Sequence, residues 1–220
     1  MLGGVNARTF ADNSVQHRST SFIDHTFVKA QTDNSYPAST YLVSGNNFCS
    51  ATGVAPIGAV SRKTHGTVGD FDIDLPLTGP EGIEDRSGGP NGNHTIVVTF
   101  PGPIASVGSA TCGGQPATTS INGSVVTVNC TGVQNATNIT ITLTNVSDGA
   151  NVANVSIPMG VLLADTTADR FVDSADISQT KGQSGKPVTG SNFRTDVNVD
   201  GFIDSADISL VKSKSGTALP

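Results

Sequence analysis

Residues 196–207 constrain the fold of this chain more than any other stretch, because they have the spacing of a calcium-binding loop. Oxygen-bearing side chains stand at loop positions 1, 3, 5, 9 and 12, and a glycine stands at position 6. Calcium binds roughly six to eight oxygens that converge from one tight turn. The predicted ligands are the side chains of Asp196, Asn198, Asp200, Asp204 and Asp207, together with the backbone carbonyl of Phe202.

A second copy of this pattern begins 31 residues upstream, at Asp165. Residues 165–185 and 196–216 are identical at 12 of 21 positions, which indicates an internal duplication. The upstream loop is less suited to binding calcium, because Thr167 offers only a neutral hydroxyl and Arg170 stands where glycine is preferred. We therefore expect one strong Ca²⁺ site and a second that is weaker or empty. The predicted upstream ligands are Asp165, Thr167, Asp169, Asp173 and Asp176, with the backbone carbonyl of Phe171.

A short helical pattern follows each loop. Residues 174–184 and 205–215 begin with serine after an aspartate, carry lysine near the end and are followed by glycine. No amphipathic helix precedes Asp165, since residues 156–163 read as a strand. Two loop-plus-helix units with aspartate at position 12 resemble a type I dockerin, the calcium-dependent docking module of bacterial extracellular assemblies. The resemblance covers roughly residues 164–220 and predicts Ca²⁺ as the cofactor.

Residues 65–163 have the pattern of an all-β region. Short segments that alternate apolar and polar residues are separated by turn signals such as Asn122-Gly123. About seven short strands over about 100 residues are typical of an immunoglobulin-like sandwich. The candidate strands are residues 68–75, 94–100, 105–112, 117–121, 124–130, 138–145 and 152–162.

The arrangement of these two regions resembles the C-terminal ends of large secreted bacterial repeat proteins. The resemblance rests on residues 61–66, 71–79, 86–89 and 156–163, the last followed directly by the calcium loops. In those proteins an Ig-like domain precedes a dockerin-like pair. The predicted fold is therefore mainly β: an Ig-like β-sandwich (65–163) followed by a small α-helical dockerin-like pair of calcium loop–helix motifs (164–220), after an extended β-rich N-terminal segment (1–64).

The N-terminal segment is too poor in apolar strands to form its own core. Because a lone hairpin is marginal in water, another surface must cover its apolar faces. Residues 22–28 alternate in a way that suits pairing with an open sheet edge. That edge belongs either to the same molecule or to a neighbour, and we favour the neighbour.

Composition points to an extracellular or cell-surface protein. Charged residues are only 14% of the chain, aromatic residues 5%, and the formal net charge is −6. Without a basic stripe to neutralise phosphates, no nucleic-acid partner is expected. No apolar run approaches the roughly 18 residues that a membrane span requires, so we expect a soluble, secreted chain whose signal peptide is absent or removed.

The sequence leaves two covalent features undecided: the pairing of the cysteines and the attachment of glycans to asparagine. Cys112 and Cys130 flank a predicted hairpin and are able to pair, which would leave Cys49 over; three free thiols are the alternative. The Asn-X-Ser/Thr triplets are only mildly in excess, and outward-facing strand threonines explain most of them. Attached glycans therefore stay an open alternative. The triplets begin at Asn93, Asn122, Asn129, Asn135, Asn138, Asn145 and Asn154.

No catalytic constellation is recognisable in the sequence. The histidines His17, His25, His65 and His94 are not at metal-ligand spacing, and His65 is expected to form a structural hydrogen bond at a strand entry. The acidic cluster Glu81, Glu84 and Asp85 lies among glycines and prolines without aromatic neighbours, which favours a solvated loop over a sugar-cleaving pair. We therefore expect a protein that is not an enzyme.

Two functions compete. The first is an extracellular structural protein that binds other copies of itself, as a calcium-stabilised fibre subunit that polymerises head-to-tail by strand donation. The second is a docking and anchoring module that binds a cohesin-like partner in a secreted, carbohydrate-active system. A fragment of a carbohydrate-active enzyme is a third and weaker reading, because the catalytic acid pair is missing.

Overall fold

The computed structural model describes residues 54–220 and, before them, the backbone of two short strands. β1 (Phe27–Val28) and β2 (Thr40–Tyr41) pair antiparallel, with Phe27 opposite Tyr41. They belong to a unit that spans Met1–Thr52, and Gly53–Pro220 form a second compact unit. Most of the predicted donor strand, together with Cys49, His17 and His25, lies outside the described residues.

Within residues 54–220 the protein is mainly β. Nine strands form one sheet in the order β4-β3-β6-β9-β8-β7-β10-β11-β5, and all neighbours are antiparallel except β11 and β5, which are parallel. The strands are β3 (Gly58–His65), β4 (Gly69–Asp74), β5 (Gly82–Glu84), β6 (His94–Thr99), β7 (Ser109–Cys112), β8 (Gln115–Asn122), β9 (Val125–Cys130), β10 (Thr137–Ser147) and β11 (Val152–Val161).

Strand β8 divides this sheet into two halves. Its residues 115–117 pair with β7, whereas residues 118–122 pair with β9. Apolar side chains from both halves form one buried cluster, which removes their surface from water and so stabilises the fold. A disulfide between Cys112 and Cys130 joins β7 to β9. The outer strands approach each other, since a Cβ on Gly82 would lie 2.1 Å from the carbonyl oxygen of Asp74, and the sheet is therefore close to a closed barrel.

Each of the seven predicted strand segments contains a strand, but β3 and β5 were not predicted. The reason is plain in β3, where the inward positions include Ser61 and His65, which are polar and fully buried. Their hydroxyl and ring nitrogens are satisfied by partners far along the chain, so no apolar alternation marks the strand. Because β3 begins at Gly58, the sheet starts inside the segment that was predicted to be an N-terminal extension.

Two short helices follow the predicted loops in the described part of the chain. Helix α1 (Ser174–Gln183) begins after Asp173, and helix α2 (Ser205–Lys214) begins after Asp204. Each aspartate accepts a hydrogen bond within a capping box, which explains why the helices start where the sequence predicts. Neither helix is long or apolar enough to span a membrane.

The loop–helix repeats pack directly on the sheet. A second buried cluster contains Ile83 of β5, Leu162 directly after β11, and apolar residues of the repeats such as Val197 and Val211. Gly160 of β11 allows a close approach, because a Cβ there would lie 2.7 Å from the Leu219 side chain. The sheet and both repeats therefore share an apolar interior.

Candidate metal centre

The downstream loop is held by hydrogen bonds from its own backbone amides to its acidic side chains. Asp196 accepts from the amide of Asp200 through Oδ1 (3.2 Å) and from the amide of Gly201 through Oδ2 (2.9 Å). Asp207 accepts from the amides of Asn198 (3.2 Å) and Asp204 (2.9 Å). The carboxylates of the first and last loop positions thus accept the amide hydrogen bonds that hold the loop in its turn.

The upstream loop repeats this framework bond for bond. Asp165 accepts from the amides of Asp169 (3.1 Å) and Arg170 (2.9 Å), as Asp196 does from the corresponding residues. Asp176 accepts from the amides of Thr167 (3.0 Å) and Asp173 (2.8 Å). The sequence duplication is therefore also a structural duplication.

The first and last carboxylates of each loop are fully buried. Asp165, Asp176, Asp196 and Asp207 have no exposed surface. Burial, together with the nearby carboxylates of Asp196 and Asp200, raises the pKa of Asp207 to about 6 despite its amide hydrogen bonds. Burial likewise raises the pKa of Asp165. Buried carboxylates that crowd together are costly unless a positive charge joins them.

The donor set fits a hard cation. All the predicted ligands are oxygens, and the carbonyl oxygens of Phe171 and Phe202 accept no backbone hydrogen bond from a described residue. Within residues 54–220, however, no three histidine, cysteine or acidic side chains are gathered as in a formed metal cluster. Calcium binding by the twelve predicted residues therefore stays a prediction.

The two loops differ at the third and sixth positions, as the sequence indicated. Thr167 Oγ1 donates to Asp176 Oδ1 (3.1 Å), whereas Asn198 Nδ2 donates to Asp200 Oδ2 (2.9 Å), so the two side chains at the third position occupy different ligand oxygens. Arg170 has a positive φ of 76°, a conformation that favours glycine, and Gly201 takes the equivalent turn at 91°. The Arg170 guanidinium does not enter the loop but forms an ion pair with Glu81 and donates to Pro220 O (3.0 Å).

Two of the three residues of the acidic cluster, Glu84 and Asp85, are fully buried beside arginines, so the expectation of a solvated loop was wrong for them. Glu81 is half-buried and forms an ion pair with Arg170. Glu84 has no exposed surface and binds Arg86 through both carboxylate oxygens (2.8 Å each). Ser61 donates to the same carboxylate, and Arg86 donates to Ser61 O (2.9 Å). Burial opposes ionisation, but the charge and hydrogen bonds of Arg86 prevail and lower the pKa of Glu84 to about 2.

The neighbouring carboxylate, Asp85, behaves differently although it is equally buried. Arg194 Nη2 lies 3.0 Å from Asp85 Oδ1, but neither oxygen of Asp85 accepts a well-formed hydrogen bond from the described residues. Burial raises the pKa of Asp85 to about 7, against the lowering effect of Arg194. Arg194 also donates to Ile83 O and Asp165 O, so it links the sheet to the upstream loop.

Sequence reasoning also missed that the sheet reaches the downstream loop. His65, the last residue of β3, lies with its Nδ1 2.8 Å from Asp196 Oδ2, and both side chains are fully buried. Gly66 then donates to Val199 O (3.0 Å) inside the loop. The expected structural hydrogen bond of His65 exists, but its partner is a predicted metal ligand.

Comparison with protein-family models finds no match, and comparison with curated proteins finds no significant relative. All seven asparagines of the Asn-X-Ser/Thr triplets are exposed, which leaves each accessible to modification.

Proposed function

We propose that this chain is a calcium-stabilised, non-enzymatic extracellular structural protein. The observation that carries the proposal is the pair of matching hydrogen-bond frameworks, each centred on two fully buried carboxylates. A cation at each centre would neutralise charge that the fold otherwise buries uncompensated. Residues 164–220 would then act as a dockerin-like pair, with the stronger site downstream.

We infer further that the sheet is an Ig-like β-sandwich. Two halves of a sheet that share one apolar core are what such a sandwich requires, and β8 provides the strand that passes from one half to the other. The disulfide between Cys112 and Cys130 supports an extracellular location, because such bonds persist in oxidising compartments.

The assembly that we propose is a head-to-tail fibre in which the N-terminal segment adds a strand to a neighbouring molecule. Strands β4 and β5 end the sheet; they approach each other where Gly82 meets Asp74, so the donated segment would have to pair with a part of an edge outside this approach. Such edges accept an extended segment through main-chain hydrogen bonds, and heterologous contacts of this kind propagate.

Calorimetry tests the calcium part of this proposal. Calcium at about 100 times its dissociation constant would stabilise the folded chain by about 2.7 kcal/mol per site, because it binds only the folded loops. Chelation is therefore expected to lower the melting temperature. An identical transition in calcium and in excess chelator would contradict the metal assignment.

Deletion of residues 1–30 tests the assembly part. The shortened chain is expected to stay folded and to bind calcium, but to form no long assemblies, and a peptide of the deleted residues is expected to cap growing ends. Electron microscopy and light scattering measure the outcome. Filaments of unchanged length, or a shortened chain that no longer folds, would argue against strand donation between molecules.

A docking module that binds a cohesin-like partner is the second candidate. It is favoured by Phe171 and Phe202, which occupy the same position in the two loops and are 58% and 70% exposed. Two matched aromatic side chains on the surface suit a protein partner. A purified chain that stays monomeric and shows a one-to-one complex with such a partner would favour docking over self-assembly.

A further inference from the structure

The sheet contacts the downstream loop through the hydrogen bond between His65 Nδ1 and Asp196 Oδ2. The neighbours of His65 determine which of these two atoms carries the proton. Arg86 Nη1 lies 3.3 Å from His65 Nε2 and donates to Phe71 O (2.8 Å). A guanidinium has donors but no acceptor, so Nε2 must carry the lone pair of the imidazole ring. The ring proton therefore sits on Nδ1 and is donated to Asp196 Oδ2.

Arg86 is itself immobilised, which makes this tautomer a fixed property of the fold. Its guanidinium binds both oxygens of Glu84 and the carbonyl of Ser61, and it is 1% exposed. The ring of Phe193 lies 5.3 Å from the guanidinium carbon. His65 stands edge-on to Phe71 at 5.1 Å, so the imidazole is held on its sides as well as at both nitrogens.

This hydrogen bond from His65 affects the orientation of the Asp196 carboxylate, the first predicted ligand of the loop. Asp196 Oδ2 accepts from His65 and from the amide of Gly201, whereas Oδ1 accepts only the longer bond from the amide of Asp200 among the described residues. The carboxylate is therefore turned so that Oδ1 keeps lone-pair capacity. The upstream Asp165 has no such partner among the described side chains of the sheet, and Arg194 reaches only its main-chain oxygen.

We propose that His65 is a positioning residue for calcium at the downstream loop: as a fixed Nδ1–H donor it orients the Asp196 carboxylate, and it makes this loop tighter than its upstream copy. The inference rests on the proposed calcium function. Partners behind a metal ligand typically change metal affinity by about 10- to 100-fold when they are removed.

Two substitutions of His65, to asparagine and to glutamine, differ by one methylene group. They distinguish a role in orienting the Asp196 carboxylate from a role in packing alone. In His65→Asn the side-chain amide reaches the position of Nδ1 and can still donate to Asp196. In His65→Gln the amide reaches the position of Nε2 and faces Arg86 instead. Titration calorimetry of the full chain with calcium chloride is expected to show the tighter event weakened about 10- to 100-fold in H65Q and largely restored in H65N, with the weaker event unchanged in both.

A second measurement does not depend on the metal. The ¹⁵N chemical shifts of the His65 ring in the wild-type chain report the tautomer directly, and we expect a protonated Nδ1 and an unprotonated Nε2. The opposite tautomer, or equal calcium affinities in H65Q and the wild type, would overturn the role of His65 alone. A wild-type chain that binds no calcium would instead contradict the proposed function.

Discussion

At the residue scale, the molecule is defined by polar side chains that are buried in pairs. Glu84 with Arg86 and His65 with Asp196 are fully or almost fully buried, and each pair satisfies charge or hydrogen-bonding capacity that would be costly alone. Removing one member leaves the other unpaired in the interior. These residues are therefore where single substitutions have the largest effects.

The Glu84 carboxylate predicts a specific dependence of stability on pH. Its pKa is about 2 in the folded chain and near 4.5 in the unfolded chain, so the unfolded state binds more protons between these values. The stabilisation is complete above pH 4.5 and is lost as the pH falls toward 2. In denaturant unfolding, the stability advantage of the wild type over Glu84→Gln is expected to shrink steadily as the pH falls from about 5 to about 2. A constant difference across this range would contradict the ion pair.

The two calcium loops should respond unequally to matched substitutions. Replacing Asp196 and Asp200 by alanine is expected to abolish the tighter binding event, because both side chains belong to the better donor set and Asp196 also holds the contact with His65. Replacing Asp165 and Asp169 is expected to leave that event largely intact. Titration calorimetry distinguishes the two variants, and loss of the same event in both would refute the ranking.

At the element scale, the turn between β3 and β4 connects the sheet to the downstream loop. His65 ends β3, and Gly66 follows with a φ of 51° and with Asp200 O only 2.2 Å from where its Cβ would be. A side chain at this position is excluded both by conformation and by contact. The turn between β3 and β4 therefore packs closely against the downstream loop at Asp200.

Gly66→Ala tests this fit against a matched control. The substitution is expected to cost at least about 1–2 kcal/mol from the left-handed backbone alone, and more from the displaced loop. Gly58→Ala, at the first residue of β3, has no atom within 4 Å of the new Cβ, so it should change stability by less than about 0.5 kcal/mol. Thermal unfolding measures both. Equal melting temperatures for the two variants would show that the close approach does not matter.

At the scale of the whole molecule, the sheet and the repeats form one compact unit, Gly53–Pro220. They share a buried apolar cluster, the contact of Arg194 with Asp85 and the contact of His65 with Asp196. Because these contacts cross from sheet to repeats, neither part retains a complete interior without the other.

Calorimetry and truncation examine this mutual dependence. The unit is expected to unfold in one cooperative transition, with strand and helix signals lost together. A chain that ends at residue 163 is expected to be strongly destabilised, because Ile83 and Leu162 become exposed and Asp85 loses Arg194. Two separate transitions in the full chain, or a truncated chain of normal stability, would contradict a single unit.

The features that depend on local chemistry are predictable from the amino-acid sequence alone. The spacing of aspartates predicts the two loops, the serine and aspartate before each helix predict where α1 and α2 begin, and period-two alternation predicts seven of the strands. These signals are visible because the interacting groups lie within a few residues of one another.

Which polar residues enter the interior depends on contacts between distant parts of the chain. Strand β3 escaped prediction because Ser61 and His65 point inward, and Glu84 read as solvated because its partner Arg86 gives no periodic signal. His65 and Asp196 are 131 residues apart, and no pattern in either segment predicts that their side chains form a hydrogen bond. A buried polar side chain is stable only beside its partner, and the fold alone brings such partners together.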